Sequence, residues 1–249
     1  MKERSVLFLS MVFLTFSFLG CGDDGQGFGT MILKLNTNVQ GSPVEIETMK
    51  YTAEVGHTYS VVNLKYYLSD ILLYDTDGMS FAYNQVHLFD IHKAGTGIIE
   101  IPNVPDGAYH SISFVFGLDE DLNVDGGLEN TVDNINMEWP IPGDQGYHYM
   151  KFEGRYDSLN SGVIRSYNVH TGATKGNQNY LRFNLSFSET EVASNSWLID
   201  LNMDLHEWLH NPYNFDFVGH ERIMMNQDAQ ETLKANGTNV FTIGSIIEN

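Results

Sequence analysis

The sequence predicts a mostly β protein, an antiparallel β-sandwich with long loops and one or two short helices. Three observations carry this. Met31–Val39 (MILKLNTNV) alternates apolar and polar residues, the period-two signature of a half-buried strand. Similar short segments recur along the chain between turn clusters such as Asp75–Gly78, Pro102–Gly107 and Asp157–Gly162, the spacing expected of a sandwich. No strand–helix–strand rhythm is visible, which argues against a parallel α/β sheet.

Taken in order, Leu64–Tyr74 (LKYYLSDILLY) is dense in large and aromatic residues and reads as a central strand covered on both faces. Ser80–Asp90, Gly97–Ile101, Ala108–Leu118, Gly146–Glu153, Val163–His170, Asn179–Phe187 and Ser196–Met203 follow as further strands. Short helices are expected at Asp204–His210, stopped by Pro212, and at Gln227–Ala235, stopped by Asn236-Gly237. No linker separates a second domain, so residues 30–249 read as one unit.

Residues 1–21 read as a lipoprotein signal peptide. Lys2 and Arg4 give a basic start, Val6–Leu19 an apolar or hydroxylic stretch, and Phe18-Leu19-Gly20-Cys21 resembles a lipobox. The fourteen residues of that stretch are short for a membrane helix, which needs about twenty. Cys21 is the only cysteine, so its lipidation would leave no thiol for disulfides, nucleophilic catalysis or metal binding. Residues 22–29, rich in glycine, read as a flexible tether. The expected location is a bacterial membrane surface, the outer membrane by preference, facing periplasm or exterior. With 13 Lys+Arg against 32 Asp+Glu and a net charge of -19, nucleic acid and anionic lipid surfaces are repelled.

Four stretches offer chemistry. In Met137–Gly154, Trp139 precedes a Pro/Gly turn and His148 lies in an alternating run. Alternation puts His148, Met150 and Phe152 on one face, opposite Tyr147, Tyr149 and Lys151. His170 follows about twenty residues on, before Gly172, which can turn the chain. Imidazole and thioether together suit copper, Cu(I) in particular. The plainer reading makes His148 a hydrogen-bonded core residue and His170 a turn cap. His87 is a further candidate ligand, or the polar side of its strand. His206-Glu207-Trp208-Leu209-His210 fits H-E-x-x-H, the pattern of zinc proteases, with His220 and Glu221 downstream. The alternative there is a short capping helix with solvent-facing histidines. Asp121, Asn123 and Asp125 alternate ahead of Gly126 like half of a calcium loop, but the twelfth position is Val132, so a solvated acidic loop competes with a structural Ca²⁺.

In order along the chain, LKYYLSDI (Leu64–Ile71), HLFD (His87–Asp90), FGLD (Phe116–Asp119), the Met137/Trp139 pair, GYHYMKFEG (Gly146–Gly154) and His170-Thr171-Gly172 resemble the MbnP-like copper-binding domain family. With this resemblance, the leading expectation is a lipid-anchored copper-binding protein that sequesters or hands over the ion and catalyses nothing itself. The resemblance also implies copper held by two histidines and a tryptophan oxidised to kynurenine, carried here onto His148, His170 and Trp139, with a dihaem peroxidase-like enzyme as the oxidising partner. The family often has a second tryptophan two residues on, where this chain has Ile141. Two other classes compete with this reading: a zinc metalloprotease built on His206, Glu207 and His210, and an anchored surface module for adhesion or carbohydrate binding.

Overall fold

The computed structural model describes residues 26–140 and 146–248. The expectations for the signal peptide, Cys21 and most of the tether fall outside the described residues, as does Ile141. Among the described residues no helix is long and apolar enough to cross a membrane.

The strands are β1 (Phe28–Val39), β2 (Ser42–Pro43), β3 (Tyr51–Thr52), β4 (Thr58–Asp75), β5 (Ser80–Tyr83), β6 (His87–Asp90), β7 (Ile98–Pro105), β8 (Gly107–Phe116), β9 (His148–Asp157), β10 (Ile164–Gly172), β11 (Leu181–Val192), β12 (Ser196–Asp204) and β13 (Phe241–Glu248). Three short helices join them, α1 (Val132–Ile135), α2 (Glu207–His210) and α3 (Gln227–Asn236).

They form two sheets, packed as a sandwich. The smaller runs β13-β12-β1-β2, with β7 also on β1. The larger runs β10-β9-β4-β8-β11, with β3, β5 and β6 also on β4. As the dense apolar run predicts, β4 is central. The stretch 80–90, expected as one strand, is two, β5 and β6. One ladder departs from the antiparallel expectation: β1 and β12 run parallel from Thr30↔Ser196 to Asn38↔Asp204. The cause is the connection out of β11, which crosses to the other sheet instead of closing a hairpin, and only hairpins force antiparallel neighbours.

Between the sheets lies the main core, in which Leu33, Leu35, Leu68, Phe116, Phe152, Leu201 and Phe241 are buried. Phe114 stacks on Phe183 with ring centroids 5.1 Å apart, and Phe241 meets both edge-on. Tyr66 enters this core while its neighbour Tyr67 belongs to a second cluster with Leu118, Met137, Tyr147, Tyr149 and Ala173. Because successive side chains alternate, that cluster covers the opposite face of the large sheet. The start of β9 lies within it.

Candidate functional site

The segment before β9 is held by backbone pairing and by a loop. Trp139 N–H donates to Gly146 O at 2.8 Å, and His148 N–H to Met137 O at 2.7 Å. Asn123 Oδ1 accepts from Tyr147 N–H at 2.8 Å and Asp125 Oδ1 from Gly146 N–H at 2.7 Å. Asn123 Nδ2 also donates to Tyr149 Oη at 3.1 Å. Two of the three residues read as a calcium loop thus fasten the entry of β9, while Asp121 is exposed.

A bulge then decides which side chains meet. In the β9–β10 ladder His170 pairs with Lys151 and Thr171 with Met150, but Gly172 pairs with His148. Tyr149 is the extra residue, and it shifts the phase of β9 by one. His148 is therefore in phase with Gly172 and His170, whereas Met150 shares the side of Thr171. The expectation that His148 and Met150 share a face fails for this reason, and Met150 goes into the main core.

The same shift brings three rings together. Trp139 and His148 have centroids 4.7 Å apart at 63°, and His148 and His170 5.0 Å apart at 86°. All three are buried, at 6%, 2% and 8% exposure. His148 Nδ1 lies 2.9 Å from Met137 O; a carbonyl can only accept, so Nδ1 carries the hydrogen and Nε2 keeps its lone pair. His170 Nε2 donates to Glu153 Oε1 at 2.6 Å, which leaves Nδ1 as the nitrogen turned away from the carboxylate. Neither free nitrogen has a hydrogen-bond partner, and neither does Trp139 Nε1. Of the nine such buried atoms among the described residues, three sit on these adjoining rings. Leaving a buried polar atom unpaired costs about 1–3 kcal/mol, so this concentration makes the three rings the candidate place for a ligand.

The electrostatics agree. Burial, helped by Lys151 and His170, drives the pKa of His148 down to about 3 against the opposing bond to Met137, so its imidazole is neutral. The bond from His170 brings Glu153 down to about 2, opposed by burial and aided by Asn63 Nδ2 at 3.0 Å. An ionised carboxylate behind one imidazole and a carbonyl behind the other is how metal-binding histidines are usually oriented.

Two further residues shape the site. A Cβ on Gly172 would lie 2.5 Å from Trp139 Cζ3 and 2.6 Å from Cε3, so this glycine is where the indole rests on β10. Its expected role as a turn is not what the structure shows, since it closes β10. Gln230 on α3, fully buried, accepts from Gly172 N–H at 3.1 Å and donates to Thr174 Oγ1 at 3.0 Å and His170 O at 3.4 Å. Sequence reasoning missed Glu153, Gly172 as a seat, and Gln230. Glu153 was within reach, five residues beyond His148 in the same run; Gln230 gives no sequence signal.

The structure sends the remaining candidates elsewhere. His87 Nε2 donates to Thr96 O at 2.7 Å; among the described residues it forms no cluster of close ligand atoms with His148 and His170. His206 and His210 do meet, with centroids 4.6 Å apart, and His206 is 5% exposed, so it does not face solvent as the capping-helix reading expects. Glu207 Oε1 lies 3.1 Å from His210 Nε2. Neither downstream candidate joins them: His220 Nδ1 donates to Asp216 O, and Glu221 accepts from Tyr156 Oη.

Fold and site together define a class: β-sandwich proteins with a buried histidine pair and an indole at the end of the larger sheet. The chain belongs to the MbnP family, whose profile matches residues 28–228. Among solved structures it is similar to MbnP from Methylosinus trichosporium, at 15% identity and a TM-score of 0.54, covering 87% of this chain and 98% of that one. At that identity the likeness speaks for the fold. No curated protein matches the chain.

Proposed function

We propose that the protein binds copper at His148 Nε2 and His170 Nδ1, to sequester the ion or hand it on. Membership of the MbnP family suggests a copper-related role, and the observation that carries the reading is the three unpaired nitrogens on adjoining buried rings. Two imidazoles, each with one ring nitrogen free of any protein partner, suit copper, and Glu153 and Met137 fix which nitrogen each ring offers.

Trp139 enters differently. Indole nitrogen is a donor only, so the intact side chain shields the ion without ligating it. Oxidation to kynurenine would put an aromatic amine and a carbonyl against His148. An extracytoplasmic, dihaem peroxidase-like partner would supply the oxidation, and a lipid anchor at Cys21 would hold the protein at the membrane.

Competition of Cu(I) against a chelator tests the site. His148→Ala and His170→Ala should each weaken binding by orders of magnitude, with near-ultraviolet circular dichroism showing that the fold survives. Unchanged affinity in both folded variants would refute the assignment. Peptide mass spectrometry of protein from its native host tests the modification, as loss of one carbon and gain of one oxygen at Trp139. Cys21→Ser should release the protein from the membrane fraction.

A further inference from the structure

We infer that His206, His210 and Glu54 form a second metal site, distinct from the His148–His170 pair, which takes a divalent ion of the zinc class and ties the two sheets together. Glu54 lies in the turn between β3 and β4 of the larger sheet, and His206 lies two residues past the end of β12 of the smaller one. Separated by 152 positions, the two meet with His206 Nε2 3.3 Å from Glu54 Oε1. One ligand atom from each of the three residues lies within 4.8 Å of the others. Zinc bonds of about 2.0–2.1 Å in a tetrahedron put neighbouring ligand atoms about 3.3 Å apart, so the histidine–carboxylate edge already has the required length. Glu54 is exposed and free to close the remaining distance.

His206 is also held in place by its surroundings. His206 is 5% exposed and its Nδ1 has no hydrogen-bond partner, while its Nε2 faces Glu54 and the amide of Gln40 at 3.4 Å. The buried ring is therefore held with Nε2 toward the Glu54 carboxylate, and that is the nitrogen it would offer to an ion. Its backbone is firmly placed. The Asp204 carboxylate accepts the N–H groups of Gln40, Gly41 and His206 at 2.9, 2.8 and 3.0 Å, and Leu205 N–H donates to Asn38 O at 2.8 Å. Trp208 and Leu209 bury α2 in the core, which fixes the two imidazoles relative to each other before any ion arrives.

Glu207 limits what the site does. In a hydrolase of the H-E-x-x-H type the glutamate faces a metal-bound water; here it turns to His210 at 3.1 Å and steadies that ring. The geometry is that of a cross-link between sheets.

Calorimetric titration of the full chain with Zn²⁺ tests this. Wild type should bind one equivalent that is weakened at least ~10–100-fold in Glu54→Gln and in His210→Gln and retained in His148→Ala. Glu54→Gln is an exposed, near-isosteric change that leaves the fold intact. With Zn²⁺ at about one hundred times its dissociation constant, the wild-type melting temperature should rise by about 5–10 °C, and that of Glu54→Gln should not. Equal binding by wild type, Glu54→Gln and His210→Gln would overturn the proposal, as would zinc binding that only His148→Ala abolishes. Absence of zinc binding to the wild type would do the same and leave the copper reading untouched.

Discussion

Gly172→Ala separates the seating of the indole from the chemistry of the histidines, because it alters neither imidazole. The added Cβ would stand 2.5, 2.6 and 3.0 Å from Cζ3, Cε3 and Cη2 of Trp139, all inside ordinary van der Waals contact. A rigid bicyclic ring cannot fold away from such a contact, so it must translate by close to 1 Å. His148 lies on the indole, with a centroid separation of 4.7 Å, and takes up part of that movement. Overpacking of this kind costs about 1–3 kcal/mol. In a chain of 249 residues that corresponds to a loss of about 2–12 °C in melting temperature. Thermal unfolding followed by circular dichroism measures the loss, and Cu(I) competition on the same sample should show weakened binding with both histidines intact. An unchanged melting temperature together with wild-type copper affinity would mean that Trp139 does not rest on Gly172, and the geometry of the site would have to be redrawn.

Other outcomes are expected. Glu153→Gln removes the charge behind His170 Nε2, 2.6 Å away; copper affinity should fall ~10–100-fold, measured by chelator competition, and wild-type affinity would deny the carboxylate an orienting role. Asp90→Asn breaks the pair between Lys65 Nζ and Asp90 Oδ2 at 2.8 Å, whose side chains are 18% and 5% exposed. It should cost about 3 kcal/mol in denaturant unfolding, the lower end for a buried pair because Lys65 retains some solvent. Burial lowers the pKa of His87 below 6.5, against the opposing bond to Thr96. Its folded form therefore stays neutral while the unfolded chain takes up a proton, so its contribution is complete above about pH 6.5 and shrinks as pH falls toward the lowered value. His87→Gln should flatten the slope of stability against pH between about 7 and 5, and an unaltered slope would remove His87 from that account.

The sandwich and its central strand were legible because burial imposes a period on the chain: Met31–Val39 alternates, and Leu64–Tyr74 is apolar on both faces. The histidines were legible as candidates because imidazoles beside a Pro/Gly turn are uncommon and chemically specific. What local periodicity cannot show is a change of phase. The extra residue Tyr149 in the β9–β10 ladder moves His148 to the side of His170 and sends Met150 into the core, yet it leaves no mark in composition. The parallel pairing of β1 with β12 is equally silent, since strand direction depends on where the preceding connection crosses. Contacts over long separations are the last class. Gln230 reaches Gly172 across 58 positions and Glu54 reaches His206 across 152. Which side chains are available as ligands and which segments are strands could be read along the chain, because both depend on the residues and their near neighbours. Which groups come together is visible only in the fold, because register, bulges and sheet crossings are settled by the packing of the whole chain.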